Sequence, residues 1–285
     1  MRNKLLEGMT IGLMVSGILF LNVLPAQALL VGMSTDTDAL YTIDQTTGRA
    51  TLLKQTNGDF GGIGLTYLNN TLYATDQLRD GNGGWPSSGF YMSRVDMVTG
   101  AVTPFTLQAG SLNWHDLASD QSTGYMYSVA IDQNNRLMRI DAGGAVSAVG
   151  TTGIVDGRGL VFNPKDNMLY GTSNVTNSLY KINPNSGAST LIGSLGFDAT
   201  FLGLALDLST DALYANVVNG YSRYGNLFKV DMQTAASTII GLNDATFIDG
   251  LVWIPDSTPV PEPSTMLLLA GGLAGLAIWR KRKSA

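Results

Sequence analysis

Between residues 29 and 256 the apolar residues fall in short runs, each alternating with polar residues and each broken by Gly, Asn, Asp, Pro or Ser. Alternation with a period of two over a few residues is the mark of a half-buried strand. The clearest unit reads G-R-G-L-V-F-N-P-K-D-N-M-L-Y-G-T-S and then S-L-Y-K-I-N-P-N-S-G-A-S-T-L-I-G, which predicts four strands joined by tight turns. Its final hairpin recurs along the chain. Ile43-Asp44 with Thr47-Gly48, Val95-Asp96 with Thr99-Gly100, Ile140-Asp141 with Gly143-Gly144, Ile182-Asn183 with Ser186-Gly187 and Val230-Asp231 with Thr234-Ala235 all follow one plan. The Asp or Asn positions 44, 96, 141, 183 and 231 are spaced 52, 45, 42 and 48 residues apart.

Five units of this length with four strands each predict an all-β fold, a five-bladed β-propeller. The repeated Asp residues are expected to close turns by accepting backbone N–H groups, with the following Gly at positive φ, and not to form a catalytic array. Inner strands are expected to begin at Gly64-Leu65, Asp116-Leu117, Gly159-Leu160 and Gly203-Leu204. The first unit lacks such a strand, and Asp249-Gly250-Leu251-Val252-Trp253-Ile254 at the other end is the missing piece. The ring is therefore expected to close by pairing N- and C-terminal strands, which leaves no long exposed edge. An open solenoid capped by the last strand is the competing arrangement. Hairpins of this type resemble those of the broad quinoprotein, lactonase and NHL-type propellers, a likeness that implies the fold and no particular activity.

The two ends follow different rules. Residues 1–28 carry a basic start (Arg2, Lys4), an apolar stretch over 11–24 and the small-x-small site Ala26-Gln27-Ala28, which predicts a signal peptide cut after Ala28 by signal peptidase. The apolar stretch is shorter than the ~20 residues of an N-terminal membrane anchor. The propeller is expected over 29–256, a Pro-rich linker over 257–265, and a short transmembrane helix with a basic tail over 266–285. Pro259, Pro261 and Pro263 keep the linker extended. The 14 uncharged residues 266–279 would span about 21 Å as a helix, short of the ~30 Å hydrocarbon core. Arg280, Lys281, Arg282 and Lys283 then form a basic stop. Recognition site, short helix and charged stop, in that order, follow the logic of a processed sorting signal.

Val260, Pro261, Glu262, Pro263 and Ser264, the Gly-rich run from Gly271 to Leu276 and the basic stop closely resemble the PEP-CTERM sorting signal of Gram-negative bacteria. The resemblance implies handling by an exosortase-type transpeptidase, a transient stay in the inner membrane, and delivery to the cell surface or extracellular matrix. A tail of this kind also carries a label drawn from ice-binding proteins. That label describes the tail alone, since the Thr residues of the body are scattered among turns and make no regular ladder.

Composition narrows the function further. Apart from the ends, the chain holds 11 Lys and Arg against 20 acids, all of them Asp, a net charge of about −9. No basic face is available to meet phosphates, which excludes a nucleic-acid binder. The absence of Cys removes thiol and Cys-zinc chemistry. Chemistry is best placed where the inner strands start and the loops between second and third strands return. Two of those loops are enlarged, 77–89 with Trp85 and 218–225 with Tyr221 and Tyr224. His115, Asp116, Asp156, Arg158 and Asp249 are expected on the same face, giving an acidic, aromatic-rimmed pocket suited to sugars or to a ligand bridged by Ca2+. Each residue also has an ordinary reading: Asp-Gly before a strand is turn chemistry, Trp85 beside Pro86 can pin its own loop, and a lone His is commonly a bonded loop residue. No cofactor is called for, the Glu that a gluconolactonase-type metal site needs is missing, and no G-x-S-x-G elbow is present. The sequence thus points to a non-enzymatic surface or matrix protein binding polysaccharide or an envelope component. The alternative is an extracytoplasmic hydrolase or lactonase-like enzyme centred on His115, Asp116, Asp156 and Asp249.

Overall fold

The structure, a computed structural model, describes residues 28–57, 63–76, 91–108, 113–131, 134–197, 201–218 and 223–255. The expected signal peptide over 1–28, save its last residue, and the expected linker, sorting motif and C-terminal helix with its basic stop lie outside these residues. Among the described residues no helix is long and apolar enough to cross a membrane.

Among the described residues, twenty strands form five four-stranded antiparallel sheets. The first blade contains β1 (Leu29–Ser34), β2 (Ala39–Ile43) and β3 (Ala50–Gln55). The second runs β4 (Gly64–Leu68), β5 (Thr71–Asp76), β6 (Tyr91–Val95) and β7 (Val102–Phe105). The third runs β8 (Ala118–Asp120), β9 (Tyr125–Ala130), β10 (Arg136–Ile140) and β11 (Val146–Thr151). The fourth is β12 (Gly157–Asn163), β13 (Met168–Ser173), β14 (Ser178–Ile182) and β15 (Ser189–Ser194). The fifth is β16 (Phe201–Asp207), β17 (Ala212–Val218), β18 (Tyr224–Val230) and β19 (Ser237–Thr246). The last strand, β20 (Ile248–Ile254), joins the first blade as its inner strand, in the order β20-β1-β2-β3. Its ladder with β1 runs from Leu29 opposite Ile254 to Gly32 opposite Leu251. Inner strands β4, β8, β12, β16 and β20 each neighbour the next and β20 returns to β4, so the ring is closed and the open solenoid is excluded.

The core is not one mass but five seams, one between each pair of neighbouring blades. One seam joins Val31, Met33 and Leu40 to Leu65, Leu72 and Val95, and another joins Leu30 and Ile43 to Ala205, Tyr214 and Leu227. Fully burying one such Leu or Val contributes ~2 kcal/mol, so every seam around the ring adds to stability.

The turn between third and fourth strands is built as the sequence predicts. Asp44 Oδ1 accepts from the amides of Thr46 and Thr47 at 2.8 Å each, and Asp96 Oδ1 accepts from those of Val98 and Thr99 at 2.8 and 3.0 Å. Asp141, Asn183 and Asp231 do the same. The closing residue has positive φ in every blade: Gly48, Gly100, Gly144, Gly187 and, in the fifth, Ala235 at 64°. Each turn also packs on the outer strand of the preceding blade. Gly187 lies against Gly150 of β11, Gly48 against Gly241 of β19, and Gly144 against Thr106 just beyond β7. Gln108 donates its amide to the Gly144 carbonyl at 2.9 Å, and Asn57 donates to that of Gly100 at 3.1 Å.

Strands β12 and β16 begin two residues ahead of the expected Gly159 and Gly203, and one inner strand is shortened. The third begins not at Asp116 but at Ala118, preceded by an isolated bridge between Trp114 and Ala130. The cause is local: Asp116 Oδ1 takes the Leu117 amide at 2.9 Å, and Ser128 Oγ donates to the Asp116 carbonyl at 2.6 Å. Side chains thus replace the ladder at that point.

Candidate functional site

Five structurally equivalent positions meet at the axis: Gly64, Asp116, Gly159, Gly203 and Gly250, each followed by a Leu. A Cβ added at Gly250 would stand 2.8 Å from Leu65 Cγ, and one at Gly64 would stand 2.9 Å from Asp116 Oδ1. At Gly203 it would meet the Asp249 carbonyl oxygen. The four glycines leave room for one side chain, and Asp116 fills it. Its carboxylate is buried; Oδ2 accepts from the Leu160 amide at 2.8 Å while Oδ1 holds that of Leu117. Burial pushes this carboxyl well above its ordinary range, and the amides of Leu160, Leu117, Leu204 and Leu65 pull it back. One carboxyl therefore ties the inner strand of the fourth blade to the start of the third and fills the axis as a plug, with the amides of Leu204 and Leu65 close enough to favour its charge. Asp116 stands in the plug and not on the mouth where the sequence reading set it.

The mouth on the side where inner strands begin carries the residues one step before the plug. His115, Arg158 and Asp249 precede Asp116, Gly159 and Gly250, and the ring is completed by Ile63 and Leu202. Arg158 Nη1 lies 2.8 Å from His115 Nδ1 and 2.9 Å from Nε2. Its Nη2 donates to Asp156 Oδ2 at 3.0 Å, which also accepts from Asn174 Nδ2 at 2.9 Å. Asp156 sits in the turn before β12 at a φ of 50°. Burial holds the His115 imidazole down to about 3, helped by the Arg158 charge and opposed by that of Asp156, so the ring is neutral. Asp249 is buried, and burial raises it to about 8 despite the Arg158 charge. Its Oδ1 has no hydrogen-bond partner.

His115, Asp156 and Arg158 therefore come together as the sequence placed them, with Asp249 buried within the field of Arg158. Tyr224 is exposed and follows Arg223, whose Nη2 donates to Asp36 Oδ2 at 2.7 Å. Trp85 and Tyr221 lie outside the described residues. Among the described residues no three His, Cys, Asp or Glu side chains are grouped to hold a metal ion.

The opposite mouth was not foreseen from the sequence. Where the inner strands end, a cavity of about 380 Å3 opens below the plug, with walls from all five inner strands. Tyr67, Phe162, Leu206 and Trp253 line it, with Ser119 and Gln121 on one lip. Aligning the five units on their Gly-Leu or Asp-Leu pair would have revealed it, because Tyr67, Ser119, Phe162, Leu206 and Trp253 all fall three residues after the axial position.

The family profile described as the PEP-CTERM protein-sorting motif matches residues 259–283. No curated protein matches the chain. Among solved structures, a chain of the "Crystal structure of Nidogen/Laminin Complex" is similar at 14% identity and a TM-score of 0.52, over 79% of this chain and 98% of that one. A structural genomics protein of unknown function from Bacteroides thetaiotaomicron VPI-5482 is similar at 15% identity and a TM-score of 0.52, over 81% of this chain and 66% of that one. Identities this low establish the fold alone. The chain is thus a five-bladed propeller with a plugged axis that carries a PEP-CTERM address. That address implies export and recognition by an exosortase.

Proposed function

We propose that this is a cell-surface or extracellular-matrix protein whose propeller binds a ligand without converting it, the ligand being a polysaccharide or another envelope component met at the His115–Arg158 mouth. The observation that carries the reading is the plug. With Asp116 bonded to amides inside the ring, the mouth above it is shallow, and a shallow polar surface suits recognition of an extended polymer better than enclosure of a reacting bond. His115, Arg158 and Asp156 already hold one another in place, so the surface is formed before any ligand arrives. Signal peptidase, the inner membrane and an exosortase-type transpeptidase are the partners on the way there.

A glycan array with the purified protein, beside Trp85→Ala and Arg158→Ala, tests the binding. Binding to an acidic or neutral polysaccharide that falls at least tenfold in either variant is expected; no binding above background would overturn the reading. Removing residues 260–285 is expected to abolish surface delivery, measured by cell fractionation.

A hydrolase or lactonase-like activity draws support from one observation, the Asp249 carboxyl held near 8 and hence able to act as an acid at neutral pH. Turnover of a lactone panel that disappears in Asp249→Asn would favour it over simple binding.

A further inference from the structure

We infer that the cavity on the far side of the plug is a separate binding site for a small, uncharged, largely apolar ligand with a flat ring. The floor is closed, because the axial glycines leave no room beside the Asp116 carboxylate, so nothing longer can thread through. A volume of about 380 Å3 is that of a small-molecule site.

The walls explain the choice of ligand. Trp253 stacks on Tyr214 with centroids 6.4 Å apart and 13° between planes, and Phe162 stacks on Tyr127 at 6.4 Å and 17°. Both rings are braced from behind, so they present fixed apolar surfaces and lose little freedom when a ligand lies on them.

The polar groups of the lip are engaged within the protein. Ser119 Oγ and Gln121 Nε2 both donate to the Tyr67 carbonyl, and Gln121 Oε1 accepts from the Asn69 amide at 3.1 Å. Asp120, the one charged residue of the lining, has Oδ1 on the amide and hydroxyl of Ser122 and Oδ2 on the hydroxyl of Thr123. An anionic ligand would lose its water here and face the negative charge of Asp120, and a cationic one would find that carboxylate already bonded to Ser122 and Thr123, whereas an apolar ring gains the full benefit of burial. This site lies on the other face from the mouth discussed above and stands or falls independently of it.

The test titrates the full-length protein with N-phenyl-1-naphthylamine, a neutral fluorescent ring compound, and with 1-anilinonaphthalene-8-sulfonate, which adds a negative charge to a similar body. One saturable site for the neutral probe, at least tenfold tighter than for the sulfonate, is expected. Gln121→Trp and Leu208→Arg alter exposed residues of the lip, so each should keep its circular dichroism spectrum and melting temperature while weakening the neutral probe at least tenfold. Absence of a saturable site, equal affinity for both probes, or unchanged binding in both folded variants would overturn the proposal.

Discussion

A single carboxylate does at the axis what five side chains could not. Asp116 gathers amides from separate blades, and its removal leaves buried donors without an acceptor. Asp116→Asn, which turns an NH2 toward those donors, is expected to lower stability by about 2 kcal/mol, read from urea unfolding. The neighbouring titratable groups give a pH signature of opposite signs. His115 titrates near 6.5 when unfolded but is held at about 3 in the ring, so its contribution to stability grows as pH rises between those values. Asp249 titrates near ~3.9 when unfolded and at about 8 when folded. The native chain then keeps a proton that the unfolded chain has lost, and this contribution declines as pH rises across that window. Above pH ~6.5 the His115 contribution no longer changes, while the raised carboxyls of Asp249 and Asp116 both make stability decline as pH rises. Asp249→Asn is therefore expected to melt several degrees above the wild type at pH 8 and to converge with it near pH 4. His115, Asp156 and Arg158 were legible as a cluster because each stands at the start of an inner strand. The role of Asp116 was hidden, because Leu160, whose amide it accepts, belongs to another blade 44 residues on.

At the scale of elements, the hairpin turns do two things at once. The Asp side chain closes each turn through donors two or three residues ahead, and so local a device is fully readable in sequence. The same turn then docks on the next blade back, a contact the sequence does not announce. A Cβ at Gly150 would run into the Ser186 carbonyl oxygen, and one at Gly187 would stand 2.7 Å from the Gly150 carbonyl. Gly150→Ala should therefore force the third and fourth blades apart and cost about 1–3 kcal/mol by thermal or urea denaturation. The same change at Gly124, whose added Cβ would meet nothing within 4 Å, should cost only its backbone strain at a φ of 74°. Since Gly150 has no positive φ, a larger loss at Gly150 than at Gly124 is a lower bound on the cost of disturbing the docking. The shortened β8 marks the limit of pattern reading: an apolar alternation was present, but a neighbouring carboxyl captured the amide that the ladder required.

For the whole molecule, the number of blades, the antiparallel order within each and the closing role of the last strand were all legible, because each unit repeats the same local grammar. The cavity beyond the plug was not, since its walls are assembled one residue per blade and no unit shows it alone. Stability held in five seams, each shared by two blades, should make unfolding cooperative. Val252→Pro removes an amide from β20, opposite Val31 in the closing ladder. It is expected to lower the melting temperature of every blade together, seen as one calorimetric transition and not two.

That closing ladder also sets an order in time. Leu29, among the first residues of the body to emerge, finds its partner only in Ile254, among the last. Until then β1 has an unpaired edge and the ring has no final seam, so the native state is out of reach for the greater part of synthesis. An exported chain is served well by such a delay: the latch that locks the shape is made last.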